Sequence, residues 1–146
     1  MIKIKFFVGD DSESSVWTMV LQKLADAEAN KINNQGGLGG YNVKIEILDY
    51  WSLPDASMHS PVEANCQAIR KYLEENESHI VWGDFPSFPR YESDFLNSSD
   101  ILFFISVDPT VEFTAPNLIN LNGALLDNRS ALSFVANSLN SPKVLF

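Results

Sequence analysis

The sequence predicts an α/β chain: an open, mostly parallel sheet with helices on both faces. Three observations carry this. Strand-length apolar runs alternate with segments of helical period along the whole chain, as crossover connections require. Ile101-Leu102-Phe103-Phe104-Ile105 is an unbroken apolar run, the pattern of a central parallel strand. Four of the seven glycines fall within Gly36 to Gly40, between a helical pattern and a strand pattern. A helix must stop there and the chain must turn back, and glycine supplies the positive φ that both need.

Each element has its own justification. Ile2, Ile4 and Phe6 alternate with Lys3 and Lys5, and the run continues through Val8, which predicts a first strand ending at Gly9. Asp10 to Glu13 form an acidic loop, and Ser14 or Ser15 is placed to cap the next helix. Val16, Trp17, Val20, Leu21, Leu24, Ala25 and Ile32 follow helical spacing to Asn34, which puts Trp17 on an apolar, core-facing stripe. Val43, Ile45 and Ile47 alternate with Lys44 and Glu46 in a second, half-buried strand. After a turn-rich loop, Ser60-Pro61-Val62-Glu63 reads as a capping box with proline at the first helical position. Val62, Cys66, Ile69 and Leu73 give that helix its inner face. Ile80 to Trp82, closed by Gly83, is a third strand, and Arg90 to Asn97 a short helix. The apolar run from Ile101 is a fourth strand and Leu118 to Leu121 a fifth. Asp127 to Leu139 is predicted helical with Leu132, Val135 and Leu139 on one side, and Lys143 to Phe146 begins a sixth strand.

Composition narrows the function. The 146 residues suit one domain or one lobe, long enough to bury about 68–70% of the unfolded surface. A net charge of −9 repels phosphate backbones and anionic membranes, so nucleic acid is not an expected partner. The single cysteine, Cys66, excludes an internal disulfide and reads as a small buried hydrophobe. With His59 and His79 on separate elements, no zinc site is expected. No apolar run reaches the roughly 20 residues of a membrane span, and no leader pattern precedes the first strand.

Ligands of such sheets bind outside the carboxyl ends of the strands, where strand order reverses. Three loops leave those ends: Gly9 to Ser14, Gly83 to Pro89, and Ser106 to Thr110. All hold hydroxyls and carboxylates, and two carry proline, which lowers the entropy lost on binding. Each also has a purely structural reading. Ser14 and Ser87 serve equally well as helix caps, and Asp108-Pro109 as a turn opener. Catalytic patterns are absent: there is no G-x-S-x-G elbow and no phosphate loop. The glycine cluster ends a helix instead of opening one, so it presents no helix N–H groups to a phosphate. An acidic phosphoacceptor arrangement fails because no Asp closes the third strand and no Lys the fifth.

In order and spacing, these segments resemble the type 1 periplasmic binding proteins, especially the branched-chain amino acid receptors of ABC transporters. The resemblance rests on Ile32-Asn33 with Gly36-Gly37 and Gly40, on Asp49 with Ser52 and Pro54-Asp55-Ala56, on Ile80 to Gly83 followed by Ser87, and on Ile105-Ser106 through Thr110. It spans nearly the whole chain, although no single motif is specific. It implies a flavodoxin-like, N-terminal ligand-binding lobe over 1–125, with a crossover helix and the first strand of a truncated second lobe over 126–146. It implies no catalysis and no cofactor. Instead a small solute, an amino acid or related amide, would be held in an interlobe cleft, and the closed form read by a membrane permease. The implied location is periplasmic or extracytoplasmic, with the leader removed.

Carried onto this sequence, the implied ligand contacts are Ser87, Asp108, Pro109 and Thr110. Phe85, Phe88, Trp17 and Trp51 are candidates for stacking on a ring or apolar tail. The usual serine and threonine run is here Phe85-Pro86-Ser87-Phe88-Pro89, and the usual alanine-rich turn is Val107-Asp108-Pro109, so a more aromatic and more acidic wall is expected. An unfinished sheet edge also leads us to expect self-association. A sensor domain of a receptor, with the same fold, is the alternative reading, and an enzyme of flavodoxin-like type the third.

Overall fold

The computed structural model describes residues 1–9, 16–107 and 114–121. Five strands, β1 (Ile2–Val8), β2 (Val43–Asp49), β3 (Ile80–Gly83), β4 (Leu102–Ile105) and β5 (Leu118–Asn120), form one open sheet in the order β2-β1-β3-β4-β5. Every pairing is parallel, with Ile4 opposite both Ile45 and Ile80, and Val81 opposite Phe103. Helices α1 (Val16–Asn34), α2 (Val62–Glu75), α3 (Phe88–Tyr91) and α4 (Ser93–Ser98) flank it. This is the predicted α/β class. The strand order reverses between β1 and β3, which places the expected ligand crevice at their carboxyl ends. The helix predicted over 127–139, the strand over 143–146, the acidic loop with its serine caps, and Asp108, Pro109 and Thr110 lie outside the described residues.

One face of the sheet meets α2, α3 and α4 in a single core. Phe7, Val81, Phe103 and Ile105 from the strands are at most 2% exposed, as are Ile69, Phe88 and Leu96 from the helices. The rings of Phe7, Phe85, Phe88, Phe95 and Phe103 pack largely edge to face, at centroid separations of 5.2–6.4 Å. That geometry suits the aromatic quadrupole. Among the described residues two charged side chains are buried in this layer, Lys5 and Glu92. Lys5 is 3% exposed, and its Nζ donates to Glu46 Oε2 at 2.7 Å and to Tyr72 Oη at 3.3 Å.

Two predicted details change. Pro61, in extended conformation, is the residue that precedes α2, and no side chain caps the helix. The Ser60 backbone N–H donates instead to Ser57 O in a local turn, so the capping box does not form. The short helix expected over 90–97 is two helical turns, α3 and α4, which meet at Glu92.

The larger difference concerns α1. Its apolar stripe does not enter the core: Trp17 is 67% exposed and Leu24 60%, and the helix buries only Ala25 and Ala29. The reason is where it docks. β2 is an edge strand, and α1 seals its open backbone with two amide side chains. Asn33 donates through Nδ2 to Val43 O (3.0 Å) and accepts from Val43 N (2.7 Å). Gln22 donates through Nε2 to Ile45 O (3.0 Å) and accepts from Ile47 N (2.7 Å). Unpaired edges are a liability, and here a helix covers one by imitating a neighbouring strand. The alanines permit the close approach.

The glycine cluster behaves as predicted. Gly36 (φ +101°) ends α1 in a Schellman motif, with Gly37 N donating to Ile32 O and Gly36 N to Asn33 O. Gly39 and Gly40, both at positive φ, turn a two-residue hairpin between Leu38 and Tyr41.

Two outcomes follow from these contacts. Asn33→Ala strands a part-buried donor and acceptor on β2. It should lower stability by about 1–3 kcal/mol in urea unfolding, more than Asn34→Ala next to it. The Glu46 carboxyl is held below its ordinary value by hydrogen bonds from Lys44 and then Lys5. Because the folded state has the lower pKa, its contribution is present above the ordinary carboxylate value and lost as pH falls through the depressed one. Glu46→Gln should therefore flatten the acid limb of a stability-against-pH curve, an effect read by thermal unfolding between pH 7 and pH 3.

Candidate functional site

A cavity of about 180 Å³ opens at the carboxyl edge of the sheet. Tyr50 closes it from the turn that follows β2. Val62, Asn65, Cys66 and Ile69 line it from successive turns of α2, and Phe85, Pro86 and Ser87 from the loop after β3. The volume suits a single ring or a branched aliphatic group; an engineered cavity of about 150 Å³ holds benzene.

The loop after β3 takes its shape from Gly83. A Cβ at this position would lie 1.8 Å from Phe85 Cε1, so only glycine lets the Phe85 ring fold back over the strand end. Folded back, Phe85 is 6% exposed and packs edge-on against Phe7 and Phe88. It thus forms the floor of the cavity and part of the core at once. Gly9, at the end of β1, gives Tyr50 room more loosely: a Cβ there would lie 2.9 Å from Tyr50 Oη and 3.0 Å from Trp51 Nε1, so the tip of the tyrosine would have to shift. The Tyr50 and Trp51 rings are themselves 4.2 Å apart. Tyr50 therefore stands between the cavity and the β1–β3 crevice.

The lining carries little charge. Burial, with Glu92 and Glu63 nearby, pushes the Cys66 thiol up to about 12, so it stays protonated and is no nucleophile. Burial raises the Tyr50 hydroxyl as well, and Asp84 and Asp49 add to the effect. Asn65 is committed: its Oδ1 accepts from Ser57 N at 3.0 Å and its Nδ2 donates to Ser57 O at 3.1 Å. Tyr50 and Ser87 supply the only hydroxyls of the lining. Among the described residues neither hydroxyl has a hydrogen-bond partner, and Ser87 does not cap α3 through its side chain. The site is a neutral, apolar pocket with two available hydroxyls, set in a field of carboxylates that disfavours anions.

The structure brings together two of the predicted ligand residues, Phe85 and Ser87. It separates two others. Phe88 is fully buried between Phe85, Phe95 and Phe103 and offers no surface for stacking on a ligand. Trp17 lies in the first turn of α1, exposed, and is not among the cavity walls; nor is it in the core. Tyr50, Asn65 and Cys66 complete the site without having been singled out for it. The signal available for Tyr50 was its position directly after a strand. Among the described residues no group of three metal-ligating side chains converges, and no helix is long and apolar enough to cross a membrane.

No known family model matches the chain, and no curated protein matches it.

The role of Gly83 can be tested directly. Gly83→Ala must expel the Phe85 ring, with an expected loss of about 1–3 kcal/mol. Near-ultraviolet circular dichroism should change with it, since Phe85 leaves its ring contacts. Unchanged stability and spectrum would show that Phe85 does not pack as described.

Proposed function

We propose that this chain is a non-catalytic binder of a small, polar but uncharged or cationic solute, which places an apolar group in the cavity beneath Tyr50. The observation that carries this reading is the pairing of an apolar pocket with two unengaged hydroxyls, on Tyr50 and Ser87, next to the strand-order reversal. Ligand pockets combine an apolar lining with a few placed polar groups in this way. The protonated Cys66 thiol speaks against nucleophilic turnover at this site.

In the uptake reading, the chain supplies one wall of a cleft, and a membrane permease of the ABC type reads the closed form. An opposite wall contributing two charge-assisted hydrogen bonds would add about 1.5–3 kcal/mol for each. One wall alone is then weaker by roughly two to four orders of magnitude. The surrounding carboxylates Asp49, Asp84, Glu63 and Glu92 support discrimination against anions.

Titrating the labelled chain with a panel of amides, amino-acid amides and the matching carboxylates tests this by nuclear magnetic resonance. The expected result is weak binding, with shifts at Tyr50, Cys66, Phe85 and Ser87, stronger for amides than for carboxylates and reduced in Ser87→Ala. Sub-micromolar affinity would refute the one-wall picture. Shifts that avoid these residues would refute the site.

A further inference from the structure

The cavity beneath Tyr50 has three properties that together specify a ligand chemistry. Its walls include two aromatic rings, Tyr50 and Phe85, from separate segments. Its side chains offer few hydrogen-bond acceptors. Asn65 is clasped to the Ser57 backbone and the Cys66 sulfur accepts weakly, which leaves the hydroxyls of Tyr50 and Ser87. Its surroundings are acidic. A carboxylate adjoins the lining in each of its three segments: Asp49 precedes Tyr50, Glu63 follows Val62, and Asp84 precedes Phe85. Asp84 and Asp49 act on the Tyr50 hydroxyl, and Glu92 and Glu63 on the Cys66 thiol, so all four reach the lining through space. None of the four is itself a wall. Arg70, the cation that follows Ile69, is taken by Glu74 at 2.8 Å and Glu92 at 3.2 Å.

We infer that the group held in this cavity is an alkylated ammonium, a cation whose charge is spread over methyl groups and which carries no N–H. This class rests on the solute-binding reading above and narrows it. The choice follows from what each alternative lacks. An anion meets surrounding carboxylates and no cation among the walls. A neutral apolar group fits the walls but gains nothing from the acidic field. A primary ammonium is drawn by the field but brings three donors, and the lining side chains hold two free hydroxyls to receive them. The third donor is left unpaired in an apolar cavity, at the full cost of its desolvation. Methyl groups remove the donors and keep the charge. They suit the apolar walls of Val62 and Ile69, and the rings of Tyr50 and Phe85 attract the charge through their quadrupoles. The size also agrees. The cavity of about 180 Å³ is larger than one of about 150 Å³ that holds benzene, and a trimethylammonium head has fewer heavy atoms than benzene. The chain's net charge of −9 draws such a cation in from solution.

Three probes separate shape, charge and N–H donors: choline, its neutral isostere with tert-butyl in place of trimethylammonium, and ethanolamine. Each is titrated into the labelled full chain and followed by nuclear magnetic resonance at Tyr50, Cys66, Phe85 and Ser87. Choline should bind roughly tenfold more tightly than the isostere, the order of effect that one or two ring–cation contacts supply, and more tightly than ethanolamine. Glu63→Gln with Asp84→Asn alters exposed residues outside the walls. It should weaken choline severalfold and leave the isostere unchanged. Tyr50→Leu, which keeps an apolar wall and removes a ring, should bring choline and the isostere closer together. Equal affinity for choline and the isostere, or tighter binding of ethanolamine, would overturn the inference and leave the solute site standing. Choline that shifts none of these residues would also overturn it, whereas the solute-binding reading falls only if the amides leave them unshifted as well.

Discussion

The carboxyl edge of this sheet depends on the missing Cβ of Gly83. With any side chain there, Phe85 cannot turn back over β3, since its ring occupies the space within 1.8 Å of where that Cβ would be. Turned back, the ring joins Phe7 on the strand to Phe88 on the following helix. Phe88 then anchors α3 and α4 through Phe95 and Phe103. The same ring faces the cavity from below. Core and site are therefore not separable parts: the wall that a ligand would touch is the outer surface of the aromatic cluster that holds the helices down. Such a wall is stiff, because packed interiors resist displacement. A preformed wall loses little entropy on binding.

The acidic surroundings act on this neutral pocket from outside. Asp84 and Asp49 raise the Tyr50 hydroxyl, and Glu92 and Glu63 raise the Cys66 thiol, both behind the larger effect of burial. Glu92 itself is buried and paired with Arg70 at 3.2 Å, so its charge is held in place. These carboxylates work as a field on the lining groups, adding to burial in raising both titratable members of the lining.

Much of the fold was legible because local chemistry left few options. Glycines at 36, 37, 39 and 40 announced a helix stop and a tight turn, and all four adopt the positive φ that only glycine takes freely. Alternating strands and the loop after Gly83 placed Phe85 and Ser87 near the site. What stayed hidden was tertiary. In Phe85-Pro86-Ser87-Phe88 the two phenylalanines look equivalent, yet one floors the cavity and the other is sealed in the core, a choice made by Gly83 and the helix that follows. The apolar stripe of α1 showed a helix with a preferred side, but not that Gln22 and Asn33 would tie it to the edge of β2 and leave Trp17 outside. Hydrophobic period reports that a face wants cover and not which neighbour provides it. Tyr50 was passed over as a loop residue, since nothing local tells a turn aromatic from a cavity wall.

The amide clasp on β2 also gives the sheet a direction of growth. One border is finished: the backbone positions at Val43, Ile45 and Ile47 that a further strand would need are engaged by α1, and side chains that imitate a strand cannot be extended by another. Enlargement of this architecture over evolutionary time, by insertion, duplication or recruitment of a foreign strand, is therefore costly at β2.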